Sequence, residues 1–200
     1  MESNKNGYVD AKVEFLRLGG TPTLDFCNTV IGDPVEEDIL ANRELVDRFS
    51  VEFFKVPSKV SRDEYLRLIT FRSLLREFFA SMLGVRSKAG FGRARTELNS
   101  FLSQCGGYPT VLEARTVSGV RWGFEAKRST DPFGAFLTEF FHFLDSIEEG
   151  RLKKCGNPAC THFFYDTSKS RTRNWCSMES CGNVMKARAF QERQRLRKVK

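Results

Sequence analysis

Four cysteines near the C-terminus constrain the fold of this 200-residue chain more than any other feature. They form two pairs, each with four residues between its members, and fifteen residues separate the pairs. The four are Cys155, Cys160, Cys176 and Cys181. Two close pairs on two turns are what a tetrahedral structural zinc site requires, because each pair bends around the metal while the intervening chain folds back. We therefore predict that these thiolates bind one structural Zn²⁺.

Other arrangements of these cysteines remain alternatives at this point: free thiols, disulfides and an iron–sulfur cluster. His162 is a further candidate ligand, because it lies two residues past Cys160. With four protein ligands no coordination position stays open for water, which disfavours catalysis by the metal. Bound zinc contributes folding free energy on the order of 10 kcal/mol, which a short segment without a large apolar core needs.

Charge is distributed unevenly along the chain. Residues 151–200 contain 13 Lys or Arg and 3 Asp or Glu, a net charge of +10, whereas residues 1–150 contain 19 and 22, a net charge of −3. We call residues 151–200 the finger and residues 1–150 the body. A strongly basic segment beside a mildly acidic one predicts a polyanionic partner for the finger.

Basic side chains flank the cysteines on both sides. A hydroxyl-rich basic run precedes Cys176, and residues 183–198 have the pattern of a basic helix with one apolar edge. A zinc-held turn that leads into a basic helix is a common way to present side chains to double-stranded DNA. The alternative is a solvated tail with no nucleic-acid role. The predicted DNA contacts are Lys169, Arg171, Arg173, Lys186, Arg188, Arg193 and Arg195.

Apolar periodicity predicts that the body is mostly helical. Ser61 and Glu64 have the spacing of a capping box, which starts a helix that runs to about Leu83 before Gly84. Further helices are predicted between Asp38 and Phe54, from about Arg93 to Gln104, and from Asp131-Pro132 to about Glu149. Alternating residues on either side of Ser118-Gly119 predict a β-hairpin. The expected fold class is mainly α with a small β-hairpin, a helical N-terminal domain followed by the four-cysteine finger and its basic helix.

The body contains most of the 19 Phe residues of the chain. Phe at helical spacing is typical of a core, and an aromatic ligand pocket is the alternative. Asn28 and Thr29 are polar residues inside an apolar segment, which makes them the first candidates to line a small-molecule pocket. Capping or turn hydrogen bonds are the alternative for these two side chains.

No group of residues in the sequence assembles a catalytic site. The sequence lacks a Gly-rich phosphate loop and a nucleophile motif, and His142 has no identifiable acid or base partner. Cys27 and Cys105 are expected to be buried apolar side chains. We therefore predict that the protein is not an enzyme. The sequence also shows neither a membrane-spanning stretch nor an export signal, so we expect a soluble cytoplasmic protein.

The segment 152–186 closely resembles the CGNR zinc-finger domain. That pattern contains Cys-x4-Cys, an aromatic-Asp-x-Ser segment, Arg-x-Trp-Cys-Ser and a closing Cys-Gly-Asn-Arg. The matching positions here are Phe164, Asp166, Ser168, Arg173, Trp175, Cys176, Ser177, Cys181, Gly182 and Asn183. The last residue of the pattern departs, because Val184 stands where the family has Arg. If that Arg contacts DNA in the family, this chain differs in the contact or in its sequence preference.

The segment Leu24-Asp-Phe-Cys-Asn28-Thr29 is similar to the L-D-F-x-N-T segment of the ABATE domain, which usually precedes that finger in bacterial proteins regarded as stress-induced transcription regulators. Together the two resemblances imply a bacterial cytoplasmic regulator in which the helical domain senses a small-molecule effector and the finger binds DNA. Paired half-sites favour a homodimer, although no heptad supports one. The alternative is a small-molecule-binding protein whose zinc module is a structural cap or a protein-interaction element.

Overall fold

The computed structural model describes residues 14–32, 37–56, 59–85, 88–105, 107–113, 120–126 and 132–198. The elements of this part are α1 (Pro22–Cys27), β1 (Val30–Ile31), β2 (Glu37–Asp38), α2 (Arg43–Phe54), α3 (Arg62–Met82), α4 (Lys88–Leu102), β3 (Gly107–Glu113), β4 (Val120–Ala126), α5 (Pro132–Ser146), β5 (Leu152–Lys154), β6 (Phe163–Tyr165), a π-helical turn (Met178–Gly182) and α6 (Asn183–Lys198). The strands form antiparallel pairs only, β1–β2, β3–β4 and β5–β6, within the described ranges. The predicted class, mainly α with small hairpins, is confirmed.

Helix α3 begins where the sequence predicts it. The Ser61 Oγ accepts a hydrogen bond from the Glu64 amide at 3.2 Å, and the Glu64 carboxylate accepts one from the Ser61 amide at 2.8 Å. The capping box is therefore complete. The helix ends at Met82, and Gly84 follows with a φ of +70°, which side-chain-bearing residues rarely adopt. None of the described helices, this long one included, is long and apolar enough to cross a membrane.

Three element boundaries differ from the predicted ones. Helix α2 begins at Arg43 rather than near Asp38, because Asn42 caps it by accepting a hydrogen bond from the Leu45 amide at 3.0 Å. Helix α4 begins at Lys88, since packing against α3 outweighs the low helix propensity of its glycines. Helix α5 ends at Ser146. The predicted cap Asp131 and the predicted turn at Ser118-Gly119 lie outside the described residues.

Phe side chains fill the space between the helices of the body. The ring of Phe49 on α2 lies 5.8 Å, centroid to centroid, from Phe26 on α1 and from Phe136 on α5. Phe71 on α3 contacts Phe140 on α5 edge to face at 5.5 Å. All five rings are buried. Such aromatic pairs contribute about 0.5–1.5 kcal/mol each beyond the area they bury, so these stripes form the core.

Arg72 on α3 is a buried charge that the periodicity does not predict. Its side chain is 2% exposed and binds Asp38 through two hydrogen bonds of 2.8 and 2.5 Å. It also donates to the Thr29 hydroxyl at 2.8 Å. These contacts connect β2 and the end of α1 to α3. Breaking such a pair is costly because the remaining charge stays buried without its partner.

Strand β6 directs its side chains into two different packing units. Phe163 and Tyr165 pack against the core of the body, whereas Phe164 packs with Cys155 and Cys176. This division follows from the two-residue period of a β-strand, in which successive side chains point to opposite faces. The β5–β6 hairpin therefore belongs to the body on one face and to the cysteine cluster on the other.

Candidate metal centre

The first cysteine pair lies at the turn of the β5–β6 hairpin. Cys155 follows β5, and its amide donates to the His162 carbonyl at 2.9 Å, which extends the strand pairing by one step. The Cys160 amide donates to the Asn157 carbonyl at 2.9 Å, so the chain turns tightly between the two cysteines. The hairpin thereby places both sulfur atoms on the same side of the turn, as a metal-binding pair requires.

The second pair is held by the π-helical turn at Met178–Gly182. Ser177 caps this turn, because its hydroxyl accepts a hydrogen bond from the Ser180 amide at 3.2 Å. The Gly182 amide donates to the Ser177 carbonyl at 2.9 Å, and α6 starts directly afterwards. The same turn therefore positions Cys181 and sets the direction of α6.

The four sulfur atoms lie within 4.8 Å of one another. The Cys176 sulfur is 3.8 Å from that of Cys160 and 3.7 Å from that of Cys181. A tetrahedron with Zn–S bonds of about 2.3 Å has edges of about 3.8 Å, so these separations fit one zinc ion. The four-cysteine cluster therefore fits one structural Zn²⁺, which confirms the prediction. Among the described residues, no other group of three or more metal-binding side chains comes together.

Hydrogen bonds and burial around the sulfur atoms favour a bound cation. The Cys176 amide and the Asn157 side-chain amide each approach a cluster sulfur, those of Cys155 and Cys181, at 3.5 Å. Burial raises the pKa of the Cys155 thiol, and hydrogen bonds from the Cys176 and Asn157 amides oppose this by favouring the thiolate. Four thiolates packed this closely repel one another, and Zn²⁺ removes that repulsion.

Trp175 lies between the two glycines that follow cluster cysteines. A Cβ atom on Gly156 would approach the Trp175 ring to 3.0 Å, and one on Gly182 would approach it to 3.1 Å and the Met178 sulfur to 2.5 Å. Both glycines therefore pack closely against the indole, and a larger residue at either position would force the ring or the Met178 side chain to shift. This contact joins the two cysteine pairs, and no spacing rule in the sequence predicts it.

Asp166 is the buried charge of the finger, and it lies on the side of β6 away from the body core. Its carboxylate accepts hydrogen bonds from the Lys153 ammonium at 2.7 Å, the Arg173 amide at 2.9 Å and the Ser168 amide at 3.0 Å. Burial alone would raise the pKa of Asp166, but these contacts together hold it well below its usual range. Lys153 also donates to the Arg171 carbonyl at 2.6 Å. The basic run before Cys176 is thus tied to one buried carboxylate.

His162 does not complete the metal site in place of a cysteine. Its side chain is buried beside Cys160, and its Nδ1 has no hydrogen-bond partner among the described residues. The hydrogen bond from Cys176 first, and His162 next, lower the pKa of the Cys160 thiol. The histidine therefore contacts a ligand, while the four cysteines already form the cluster.

The predicted DNA contacts fall into two groups. Arg173 is half-buried: its Nε donates to the Trp175 carbonyl at 2.8 Å, its Nη2 donates to the Cys176 carbonyl, and its guanidinium lies 4.7 Å from the centroid of the Phe164 ring. Arg171 pairs with Glu148 of the body at 2.7 Å. The structure thus places Arg173 inside the finger and engages Arg171 with the body. The remaining five, Lys169, Lys186, Arg188, Arg193 and Arg195, are exposed.

Asn28 and Thr29, the predicted pocket-lining residues, both bind protein groups. Asn28 is buried and exchanges two hydrogen bonds of 2.8 Å with the backbone N–H and C=O of Phe163. Thr29 is buried, donates to the Phe26 carbonyl at 2.7 Å and accepts from Arg72. The Asn28 side chain therefore makes the pair of backbone hydrogen bonds to β6 that a neighbouring strand would make. This contact fixes the finger hairpin to the body, and the distance of 135 residues in sequence hides it from local patterns.

Three other side chains, those of Cys27, Cys105 and His142, were candidates for a reactive or catalytic role. Burial raises the pKa of Cys27 to about 12, and burial also raises the pKa of Cys105, so neither is an activated thiolate. His142 is half-buried on α5, and its Nε2 has no hydrogen-bond partner among the described residues. Without a partnered acid or base, it forms no catalytic pair there.

Comparison with known families agrees with the geometry of the cysteine cluster. Residues 151–194 match the model of the CGNR zinc finger, which spans both cysteine pairs and most of α6. The match ends within α6 and does not extend into the body. No curated protein shows a significant match to the chain.

Proposed function

We propose that the protein is a zinc-dependent, DNA-binding transcription regulator. The observation that carries the proposal is α6, which begins two residues after Cys181 and is exposed along residues 183–197, with only Met185 partly covered. The helix contains six Lys or Arg and one Glu, a net charge of +5. Among its described side chains there is no ion pair. An exposed helix with this positive charge favours a polyanionic partner.

The basic residues of α6 lie on two opposite faces. With about 3.6 residues per turn, Lys186, Arg193 and Arg197 share one face, whereas Arg188 and Arg195 share the opposite one. A helix in the major groove directs one face to base edges and its flanks to phosphates. The zinc-held turns fix the position and direction of α6, so the register of this helix on DNA would depend on the metal.

The first test is a titration of zinc-loaded protein with double-stranded DNA at about 50 and about 200 mM salt. If about five phosphates are neutralised, the logarithm of the affinity falls against the logarithm of the salt concentration with a slope of about −4 to −5. We expect Arg193→Gln/Arg197→Gln to reduce both the affinity and the slope. Arg43→Gln/Arg62→Gln, which removes the same charge from exposed positions of the body, is the control and should change little. Salt-independent affinity would contradict the proposal.

The two faces of α6 can be compared at equal charge. Arg193→Gln/Arg197→Gln and Arg188→Gln/Arg195→Gln each remove two positive charges from exposed positions. If the helix binds in one orientation, one pair of substitutions should weaken binding at least about tenfold more than the other, as base contacts do relative to phosphate contacts. Equal losses would indicate a non-specific attraction instead. Val184 is exposed in the first turn of α6, so Val184→Arg tests the position at which this finger departs from the family pattern.

A second candidate function rests on how the β5–β6 hairpin packs. Phe163 and Tyr165 lie in the body core, so the zinc module also covers part of the body. This favours the alternative of a small-molecule-binding protein with the zinc module as a structural cap. One zinc per chain with no DNA binding at low salt would select that alternative.

The proposal also assigns a cellular context and an assembly. A transcription regulator of this kind would act in the bacterial cytoplasm, respond to a small-molecule effector or a stress signal, and bind paired half-sites as a homodimer. It assigns no enzymatic activity. Sedimentation of the zinc-loaded protein, alone and with DNA, tests the dimer, and any turnover abolished by His142→Ala would contradict the non-enzymatic assignment.

A further inference from the structure

A cavity of about 480 Å³ lies between α3, the β1–β2 pair and the β5–β6 hairpin of the finger. The body contributes residues of α3 and of β1–β2, and the finger contributes Lys154, Thr161 and Phe163. A volume of this size is in the usual range for small-molecule sites. Any ligand in it would touch the body and the finger together.

The charged groups around this cavity carry an excess of positive charge. Arg72, Arg76 and Lys154 line it together with the carboxylates Asp38 and Glu77. Asp38 is already paired with Arg72. Lys154 is half-buried as a residue, and its ammonium has no ion-pair or hydrogen-bond partner among the described residues. An ammonium at the wall of a cavity and without a protein acceptor is available to pair with an anionic ligand.

Polar and apolar groups both line the cavity. The Thr161 hydroxyl accepts a hydrogen bond from the Gly32 amide at 3.3 Å, and its own proton has no acceptor within the described part of the chain. Ile69, Ala80 and Val85 line the cavity from the side of α3 and the turn that follows it. A ligand that fits this lining has an anionic group near Lys154 and Thr161 and an apolar portion near Ile69, Ala80 and Val85.

We infer that this cavity binds a small carboxylic acid with an apolar body. The carboxylate accepts hydrogen bonds from the Lys154 ammonium and the Thr161 hydroxyl, and the apolar part contacts Ile69 and Val85. The three cationic and two anionic side chains of the lining leave one positive charge in excess, which favours an anion. The inference goes beyond the proposed function and does not depend on it, because the site forms without DNA.

The test is isothermal titration of the zinc-loaded full-length protein, without DNA, with benzoate and 4-phenylbutanoate. Each acid is compared with its uncharged amide, which has nearly the same shape. We expect the acids to bind and the amides to bind at least tenfold more weakly, since only the acid is an anion. Lys154→Gln should weaken acid binding about tenfold. Lys169→Gln removes the same charge from an exposed position of the finger and should have no effect.

A steric variant tests the location independently of charge. Ser73 is exposed on α3 and lines the cavity, so Ser73→Trp should fill it and abolish binding of both acids while zinc content and melting temperature stay near wild type. The inference is overturned if neither acid binds at millimolar concentration, if the amides bind as well as the acids, or if Lys154→Gln and Lys169→Gln have equal effects. Unchanged binding by Ser73→Trp would also overturn it.

Discussion

The body and the metal side of the finger are stabilised by different forces. In the body, Phe rings from α1, α2, α3 and α5 pack against one another in a single apolar core. Around the metal, Phe164 is the one fully buried ring packed with the cysteines among the described residues, with Trp175 and Leu18 partly buried against it. The remaining contacts there are sulfur atoms, backbone amides and the buried Asp166. The body therefore gains stability from buried apolar area, and the finger gains it from the metal.

The two regions nevertheless meet in one strand. The side chains of β6 alternate between them, and Asn28 bonds the same strand from the body side. The Tyr165 amide also donates to the Gly19 carbonyl at 2.8 Å. A boundary drawn at residue 150 describes the charge distribution, whereas the packing boundary runs between the two faces of β6. Substitutions on the two sides of this boundary should therefore differ in their effects on the stability of the body and on zinc binding.

The largest effect is expected from removing a metal ligand. Cys176→Ser should abolish zinc binding and unfold the finger, because structural zinc contributes on the order of 10 kcal/mol to such a module. The helices of the body should remain folded, with a lower melting temperature. Metal content and far-ultraviolet circular dichroism on one sample measure both results. Cys105→Ser, at a half-buried cysteine of the body, should retain one zinc per chain.

Substitution of neighbouring residues in β6 separates the two faces. Phe163→Ala and Phe164→Ala each remove a buried ring and should each cost about 3–5 kcal/mol. We expect Phe163→Ala to destabilise the body with little change in zinc affinity. Phe164→Ala should weaken zinc binding with a smaller effect on the body. Chelator competition and denaturant unfolding measure the two quantities, and identical profiles for the variants would contradict the division of the strand.

Loss of the buried carboxylate should affect the finger selectively. Asp166→Asn leaves the Lys153 ammonium without its ion-pair partner, and breaking such a buried pair costs about 3–5 kcal/mol. The loop before Cys176 should then lose order, and zinc should dissociate faster. Zinc transfer to a chromogenic chelator measures the rate. Asp145→Asn removes the same charge from an exposed position on α5 and should leave that rate unchanged.

The smallest effect concerns the pH dependence of the body. Burial raises the pKa of Asp25 to about 6, against smaller opposing contributions from the Gly19 amide, Arg17 and His162. The folded protein therefore binds a proton that the unfolded chain releases at lower pH, so stability falls as pH rises from about 4 to about 6. Asp25→Asn should lack this loss and gain on the order of 2 kcal/mol relative to wild type across that window. Denaturant unfolding of both proteins at each pH cancels any common effect of zinc, and a constant difference would contradict the assignment.

Local patterns predict the features whose partners lie close in sequence. The capping box joins Ser61 and Glu64, and the cysteine pairs are joined by short turns, so spacing alone identified both. Arg72 was missed because its partner Asp38 is 34 residues away, on a strand of two residues. A helical stripe containing an arginine indicates a polar edge, and only the fold shows that this edge is buried.

The contact that attaches the finger to the body also could not be predicted from the sequence. The Asn28 side chain pairs with backbone groups of Phe163, which carry no residue-specific signal. The surroundings of Arg173 could not be predicted from the sequence either. Its predicted DNA contact rested on its charge, whereas the fold places its guanidinium against nearby carbonyls. Exposure separates it from Lys186 and Arg193, and exposure depends on how the whole finger folds.

Amide hydrogen exchange with and without zinc tests most directly whether apolar packing stabilises the body while the metal stabilises the finger. On chelation, we expect the amides of Gly156, Gly182 and α6 to lose protection, because the hydrogen bonds that hold them depend on the metal-bound turns. The amides of α3 and α5 should keep theirs, since Phe packing holds these helices. Loss of protection to the same extent in α3 as in the finger, or no change at Gly156 and Gly182, would contradict the account.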